Sequence, residues 1–293
     1  MALTLTRQIE RIDRTDRAHF QENYMRPQRP VIIRHFYGEK APLYSKWTFD
    51  YFKENLYDVE VGVFDGENSA NIEDRSYKGA PEKMKFGEYL ELIQREPTRK
   101  RLFLFNVFKH QKSLFDDFAF PDVADHVLKF LPFAFFGGAG AVTRIHRDMD
   151  NSNVFLTELA GRKRVVLFHP KYSKLLYRYP FGTHTSIDIN DPDYDRFPGL
   201  KFVQGYETIL EPGDTLFMPA GWWHHIEYMT PGLGFSIRSL SPYISDRMRG
   251  LYQVGLLTHL DEVFRYMLGA RWFSIKKSIT QRRANRAMAV IEH

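Results

Sequence analysis

Cysteine is absent from the 293 residues of this chain. Its absence excludes a disulfide framework and any cysteine-rich zinc module. A chain without cysteine fits a reducing compartment. The first sixteen residues, MALTLTRQIERIDRTD, become charged at once and lack the apolar centre of a signal peptide. We therefore predict a cytoplasmic location.

Long apolar runs are also missing. The longest, FLPFAFFGGAGAV at residues 130–142, is interrupted by glycine and proline and is too short to span a bilayer. There is no low-complexity tract and no repeat at solenoid periods. The chain is 43% hydrophobic and 15% aromatic, which is enough for a sizeable core. These features predict a globular protein without a membrane partner.

The charge balance is moderately basic, with a formal net charge of +5. The densest basic stretch is KKSITQRRANR, residues 276–286. A basic stripe of this kind can bind nucleic acid, but it is more often the solvated face of a helix. We favour the solvated face, and nucleic acid remains an open but not a favoured partner.

The organisation of the chain changes twice. Residues 1–130 mix helical and strand patterns, including amphipathic helices at WTFDYFKENL and MKFGEYLELIQ and a strand at 101–108. Residues 131–242 carry closely spaced apolar β segments punctuated by glycine, proline and aspartate, which predict a barrel or sandwich. Residues 243–293 return to helical spacing. This last region either packs on the outside of the barrel or forms a homodimer interface, and both interpretations stay open.

One loop is too long to be a simple turn. Residues 171–200 are rich in tyrosine, aspartate and proline, and structureless loops of this length are usually functional or covering elements. Recognition residues are often carried by loops above a rigid scaffold. Tyr177 and Tyr179 are therefore candidate substrate contacts.

Two short motifs carry ligands typical of a metal site. His146 and Asp148 are two residues apart in VTRIHRD, so they share one face if this segment is a strand. They form two-thirds of a two-histidine, one-carboxylate set, which leaves open metal positions and suits Fe(II). The pattern is common by chance when it stands alone. In PAGWWHHIEY, His224 and His225 are adjacent, so in a strand only one can face an interior site.

Taken together, these stretches resemble a known family. The segments TRIHRD, ELAGRKRVVLFHP and LEPGDTLFMPAGWWHHIE resemble the JmjC or cupin-like Fe(II)- and 2-oxoglutarate-dependent oxygenases. They are most similar to the branch that includes the asparaginyl hydroxylase of hypoxia-inducible factor. The resemblance implies a mainly β fold, with a double-stranded β-helix (jelly-roll) barrel, N-terminal α/β elements and C-terminal helices. It also implies Fe(II), 2-oxoglutarate and O2, used to hydroxylate a C–H bond of a protein or peptide side chain or of a small molecule.

The resemblance assigns individual residues. The metal ligands become His146, Asp148 and His224, and His225 faces away as a hydrogen-bonding residue. Lys163 matches the family lysine that binds the distal carboxylate of 2-oxoglutarate. A lysine on the inner face of a barrel is costly without an anionic partner, which supports this role.

Other co-substrate positions match less well. Thr143 matches a family hydroxyl, but the asparagine that seats the co-substrate aligns with Val154 because the chain is two residues longer between His146 and Lys163. A β-bulge would restore Asn153 to the site. 

Two further family positions are altered. A family tyrosine is replaced by Phe103, and a late-strand asparagine by Arg238 or Ser239. These changes leave the metal assignment intact and put the seating of 2-oxoglutarate in question.

Two alternatives belong to other functional classes. A non-catalytic cupin could bind a metal and a small ligand with the same barrel. A cupin enzyme of another kind usually has an H-x-H pattern, which is not found here because residue 148 is aspartate. The absence of cysteine-rich reader modules argues against a chromatin-targeted demethylase.

Overall fold

The computed structural model describes residues 3–65, 82–102 and 105–291. Strands are named β1 to β14 in chain order. They are Thr4–Arg7, Glu10–Ile12, Val31–Arg34, Glu60–Asp65, Glu82–Lys85, Lys100–Leu102, Phe133–Gly137, Val142–His146, Asn153–Ala160, Lys163–Phe168, Gln204–Leu210, Asp214–Met218, Trp223–Tyr228 and Gly232–Ser239. Helices are named α1 to α7. They are Arg17–Phe20, Pro42–Lys46, Phe49–Leu56, Phe86–Arg95, Ile244–Tyr252, Thr258–Leu268 and Ala270–Ile291.

Two four-stranded sheets form the barrel. One has the order β11-β10-β13-β8 and the other β12-β9-β14-β7. All eight strands lie within residues 131–242, where the sequence predicts a change to β structure. Consecutive strands alternate between the two antiparallel sheets except at β10 and β11, which are neighbours in one sheet. This is the pattern of a jelly roll, so the predicted fold class is confirmed.

The N-terminal strands extend both sheets. β1 pairs in parallel with β11, while β2 and β3 continue the second sheet beyond β12. At the opposite edge of that sheet, β6, β4 and β5 follow β7. The N-terminal α/β elements are thus joined to the barrel by main-chain hydrogen bonds, which leaves fewer barrel edges unpaired.

Helices α3 and α4 lie where their amphipathic patterns predict them. Phe52 and Leu56 are the buried residues of α3, and the buried face of α4 includes Leu90 and Ile93. The strand predicted over residues 101–108 is wrong in its second half, because a short 3-10 helix occupies Val107–Lys109. In that helix both Val107 and Phe108 reach the core, which alternation along a strand would not allow. Phe103 lies outside the described residues.

An aromatic core lies between the N-terminal helices and the second sheet. Trp47 is 1% exposed and makes edge contacts with Phe52, Phe108 and Phe235. Such edge-to-face pairs add stability beyond the area they bury. Many of the aromatic residues of the chain therefore belong to this core.

The C-terminal helices cover the barrel only in part. Residues 244–268 form a helical run of α5, a π-helical turn and α6, as their spacing predicts. Several apolar side chains remain exposed, including Leu251 (67%) and Tyr266 (92%). The described residues contain no helix that is both long and apolar enough to cross a membrane. A homodimer formed through these helices stays a prediction.

Helix α7 is less solvated than its basic composition suggests. Lys276 is 1% exposed, and its Nζ lies 3.0 Å from Oδ1 of Asp261. Ala284 packs into the apolar cluster around Trp223. The stretch 276–286 is therefore partly an interior face, and its other side carries the exposed arginines Arg282, Arg283 and Arg286.

Candidate metal centre

Strand β13 decides between the two adjacent histidines. Its side chains alternate between the barrel interior and the exterior, so His224 lines the interior cavity and His225 does not. The Nε2 atom of His225 is 2.8 Å from Oε1 of Glu227, the next residue that faces outward. This geometry agrees with the expected hydrogen-bonding role of His225.

Strand β8 supplies the second histidine. His146 lies directly opposite His224 in the antiparallel pair of β8 and β13, with ring centroids 4.2 Å apart. The next registered pair is Thr143 with Ile226, so between the two pairs two residues of β8 oppose one of β13. This β-bulge lets Thr143 and His146 both line the cavity, although an odd spacing would place them on opposite faces of a regular strand.

The tautomers of both histidines follow from their backbone contacts. Nδ1 of His146 is 2.8 Å from the carbonyl oxygen of Arg144, and Nδ1 of His224 is 3.2 Å from that of Trp222. A carbonyl can only accept, so each Nδ1 carries the proton and each Nε2 keeps a free lone pair. Burial lowers the pKa of both rings, which favours the neutral form needed by a metal ligand.

Asp148 completes the set from the turn after β8. The sequence predicts that it shares a strand face with His146, but β8 ends at His146. Its Oδ1 is nevertheless 3.8 Å from Nε2 of His146 and 4.0 Å from Nε2 of His224. Ligand atoms of the three residues all lie within 4.8 Å of one another. This group is able to hold a metal ion, and its donors are those of a facial triad.

Arg238 orients the carboxylate. Its guanidinium is 2.9 Å from Oδ2 of Asp148, and it also contacts Asp150 and Ser152 at 3.1 and 3.0 Å. Burial acts to raise the pKa of Asp148, but the Arg238 guanidinium holds it well below its usual range. The carboxylate therefore stays ionised, with Oδ1 turned toward the histidines.

Lys163 lies inside the barrel but is already paired. It is 1% exposed, and its Nζ is 2.7 Å from Oε2 of the fully buried Glu158. Its ammonium also lies 4.6 Å from the ring centre of Tyr228. A side chain at Gly234 would place its Cβ 2.5 Å from Nζ, so glycine makes room for the lysine.

The charge state of the Glu158–Lys163 pair depends on pH near neutrality. Burial raises the pKa of Glu158 to about 7, although the Lys163 ammonium opposes the shift. Burial lowers the pKa of Lys163, but Glu158 and Tyr228 outweigh it and leave it raised. Lys163 therefore remains a cation, while its partner gains a proton near neutral pH.

The cavity has a volume of about 230 Å³, and both the triad and Lys163 line it. Thr143 lines it as well, as the resemblance implies. Its remaining walls are largely apolar and include Phe133, Leu156 and Met218. Such walls suit a site that must exclude water from a reactive centre.

Asn153 does not reach the cavity, which contradicts its predicted place beside the co-substrate. It is fully buried between strands, where its Nδ2 donates to the carbonyl of Leu240 and its Oδ1 accepts from the amide of Ala220. Val154 lines the cavity instead. No bulge shifts the register here, because β9 pairs regularly with β12 and β14 along this stretch.

Tyr177 and Tyr179 are not surface contacts. Each is 1% exposed, and neither lines the cavity. The hydroxyl of Tyr177 accepts from the amide of Gly199, while the ring of Tyr179 packs against Phe273 of α7. These tyrosines anchor the long loop, so their assignment as substrate contacts is corrected.

The loop reaches the site through other residues. Thr183 and His184 line the cavity, and the His184 ring stacks on His146 with centroids 5.5 Å apart. Sequence reasoning missed His184, Glu158 and the contact of Arg238 with the carboxylate. For His184, the available signal in the sequence was a histidine within the long loop. The contacts of Glu158 and Arg238 gave no such signal, because they depend on strand register.

Comparisons with known proteins define the class of this molecule. The chain belongs to the family of the cupin-like domain, whose model matches residues 17–239. Lysine-specific demethylase 8 of Xenopus tropicalis is 26% identical over 239 residues, covering 75% of this chain and 49% of that protein. The tRNA wybutosine-synthesizing protein 5 of Gallus gallus is 28% identical over 244 residues, covering 75% of this chain and 73% of that protein.

The relatives also include lysine-specific demethylase JMJ30 of Arabidopsis thaliana, 27% identical over 231 residues, which cover 74% of this chain and 51% of that protein. The chain thus spans about half the length of the demethylases it matches. Cupin-like proteins of this JmjC type are Fe(II)- and 2-oxoglutarate-dependent oxygenases that also use O2, so the predicted family is confirmed. The triad of His146, Asp148 and His224 fits the Fe(II) of that family.

Proposed function

We propose that this chain is an Fe(II)- and 2-oxoglutarate-dependent hydroxylase acting on a C–H bond. One observation carries the proposal. The Nε2 atoms of His146 and His224 and Oδ1 of Asp148 face one another inside the barrel. The other polar atom of each side chain is already hydrogen-bonded, since each Nδ1 donates to a backbone carbonyl and Oδ2 accepts from Arg238. Such outer contacts fix ligand orientation in metal sites.

The described residues would divide the work. His146, Asp148 and His224 would hold Fe(II), which supplies the oxidising chemistry when 2-oxoglutarate and O2 are bound. Lys163 would bind the distal carboxylate of 2-oxoglutarate, with Thr143 as a second contact. Because Glu158 already occupies the ammonium, the incoming carboxylate is best accommodated when Glu158 is protonated.

The substrate class remains broader than the reaction class. The matching relatives are named for lysine demethylation and for tRNA wybutosine synthesis. The proposed reaction therefore has three candidate classes of substrate: a protein or peptide side chain, a small molecule, or a nucleic acid. Hydroxylation is also the first step of oxidative demethylation of an N-methyl group, so the two activities share this site.

A second function is favoured by one specific feature. The Lys163 charge is balanced by Glu158, as expected in a cupin that does not bind a dicarboxylate. In that case the same triad would hold a metal for a different small ligand.

An anaerobic titration separates the two functions. Fe(II) and 2-oxoglutarate should give wild-type protein a weak visible charge-transfer band, and Asp148→Ala should lose it because one ligand is removed. Asp122→Ala, at a carboxylate exposed on the far N-terminal side, is the matched control. Wild-type protein that is folded and binds iron, yet shows no band, would refute the 2-oxoglutarate assignment and favour the second function.

A further inference from the structure

Arg147 stands out among the charged residues of the cavity. It lies between the metal ligands His146 and Asp148, and its side chain lines the cavity wall. Its Nε atom is buried and has no hydrogen-bond partner among the described residues. A buried N–H of a cation without an acceptor is costly, and an anion bound at this position would remove that cost.

The surroundings of Arg147 increase this cost. The long loop runs beside Arg147, because the amide of Arg147 donates to the carbonyl of Thr183 at 3.1 Å and the amide of Tyr179 donates to that of His184 at 3.0 Å. This brings Arg178 near Arg147, and the charged groups that act on Arg147, Arg178 and Arg249 of α5, are both positive. Within residues 3–65, 82–102 and 105–291, no carboxylate forms an ion pair with Arg147 or Arg178. Arg249 is partly neutralised, because its Nη1 is 3.0 Å from Oδ1 of Asp246.

The positive charge continues away from the metal. Arg178 is half-buried, and its carbonyl oxygen accepts from Oγ1 of Thr280 on α7 at 3.4 Å. Arg283 lies about one turn further along the exposed face of that helix and is the charged group that acts on Arg178. Arginines therefore follow one another from the cavity wall, through the covering loop, to the outer surface. A single carboxylate would need only the first of them, whereas successive phosphates would use the whole series.

We infer that the substrate carries phosphate, bound by Arg147 and Arg178, while the group to be oxidised lies at the metal. This inference rests on the proposed function, because it places the substrate relative to the triad. The phosphate can belong to a free nucleotide or to a single-stranded nucleic acid. Further phosphates of a strand would then reach Arg283, which a nucleotide cannot do.

Binding to the Fe(II)- and 2-oxoglutarate-loaded protein under anaerobic conditions tests the inference. The probes are a nucleoside 5′-monophosphate, followed by calorimetry, and a labelled single-stranded RNA, followed by anisotropy at several salt concentrations. Arg178→Gln and Arg147→Gln should weaken binding of both probes by about tenfold and reduce the salt dependence by about one phosphate contact. If the natural substrate is a nucleic-acid strand, Arg283→Gln should weaken binding of the RNA but not of the nucleotide. If the natural substrate is a free nucleotide, Arg283→Gln should weaken binding of neither probe.

Arg162→Gln is the matched control, because Arg162 is exposed at the turn between β9 and β10. If this variant weakens binding as much as Arg178→Gln, the effect is one of net charge and the inference fails. It also fails if an acidic peptide binds as tightly as the RNA and depends on the same two arginines.

The charge-transfer band keeps the two proposals distinct. A normal band without phosphate binding overturns this inference and leaves the oxygenase proposal standing. Phosphate binding that depends on Arg178 but occurs without a band supports the anion site and overturns the oxygenase proposal. Arg178→Gln is decisive if Arg147→Gln disturbs the neighbouring ligands, since Arg178 lies outside the triad.

Discussion

At the scale of single residues, the buried pair of Glu158 and Lys163 has the clearest consequence for pH dependence. Glu158 has a reference pKa of 4.5 and a pKa of about 7 in the folded protein. Between these values the folded protein binds more protons than the unfolded chain, so the free energy of unfolding falls as pH rises. A shift of this size corresponds to roughly 3 kcal/mol.

The change Glu158→Gln should remove this dependence, because glutamine cannot take up the proton. Urea unfolding of the two proteins should show the wild type losing stability from about pH 5 to about pH 7, with a flatter curve for the variant. Glu91→Gln, at an exposed position of α4, is the control. Identical slopes for wild type and Glu158→Gln would contradict the prediction.

Asn153 separates a structural role from a co-substrate role. Asn153→Ala would leave the amide of Ala220 and the carbonyl of Leu240 without partners inside the protein. We expect a loss of about 1–3 kcal/mol in the free energy of unfolding and unchanged affinity for 2-oxoglutarate. The measurements are chemical denaturation and the charge-transfer titration. A weaker 2-oxoglutarate affinity with normal stability would restore the original assignment.

At the scale of elements, the link between β9 and β10 places Lys163 in the cavity. It passes from one sheet to the other through Gly161 and Arg162. Gly161 has φ +82°, and an added Cβ would lie 2.2 Å from the carbonyl oxygen of Pro231. Only glycine fits this corner, because both the backbone conformation and the space exclude a side chain.

Gly161→Ala should therefore destabilise the protein more than Gly140→Ala. Gly140 also has a positive φ, +91°, but nothing lies within 4 Å of its added Cβ. Gly140→Ala thus measures backbone strain alone, about 1 kcal/mol, while Gly161→Ala measures the same strain together with the steric clash. Thermal or urea unfolding measures both variants. Equal losses would show that the corner relaxes freely.

The long loop reaches the cavity through residues other than the expected tyrosines. Aromatic residues in a polar loop suggest exposed contacts, yet Tyr177 and Tyr179 pack inward and hold the loop in place. The polar Thr183 and His184 reach the cavity instead. The tyrosine rings pack inward because burying their larger apolar area stabilises the fold more than burying a threonine side chain does.

At the scale of the whole molecule, metal binding should stabilise the fold. The ligands come from β8, the turn after it and β13, so they assemble only when the barrel forms. A metal that binds the folded state and not the unfolded chain raises the unfolding temperature. Mn(II), added anaerobically, should raise it by several degrees for wild type and for Asp122→Ala.

The same addition should leave Asp148→Ala nearly unchanged, because one of three ligands is missing. Differential scanning calorimetry with and without Mn(II) measures the effect. An equal shift in Asp148→Ala would mean that the stabilising metal binds elsewhere.

The sequence by itself determined the architecture and, through the family resemblance, the candidate metal ligands. Closely spaced apolar segments over 131–242 need two covered sheets, whatever their order. Alternation in WWHHIE allows only one of two histidines inside, and the family resemblance selects His224. The strand pattern and the alternation depend on local spacing, so they can be deduced without long-range contacts, whereas the choice of His224 is what the resemblance implies.

Only the tertiary structure decided the surroundings of that site. The bulge in β8, the pairing of Glu158 with Lys163 and the contact of Arg238 with Asp148 join residues from different strands. Each depends on strand register and on which sheet a strand enters, and a shift of one residue would reverse every side chain. The environment of Arg147, whose buried Nε has no hydrogen-bond partner in the part of the chain that the structure describes, likewise emerges only after folding, because its neighbours come from a loop and a helix far along the chain.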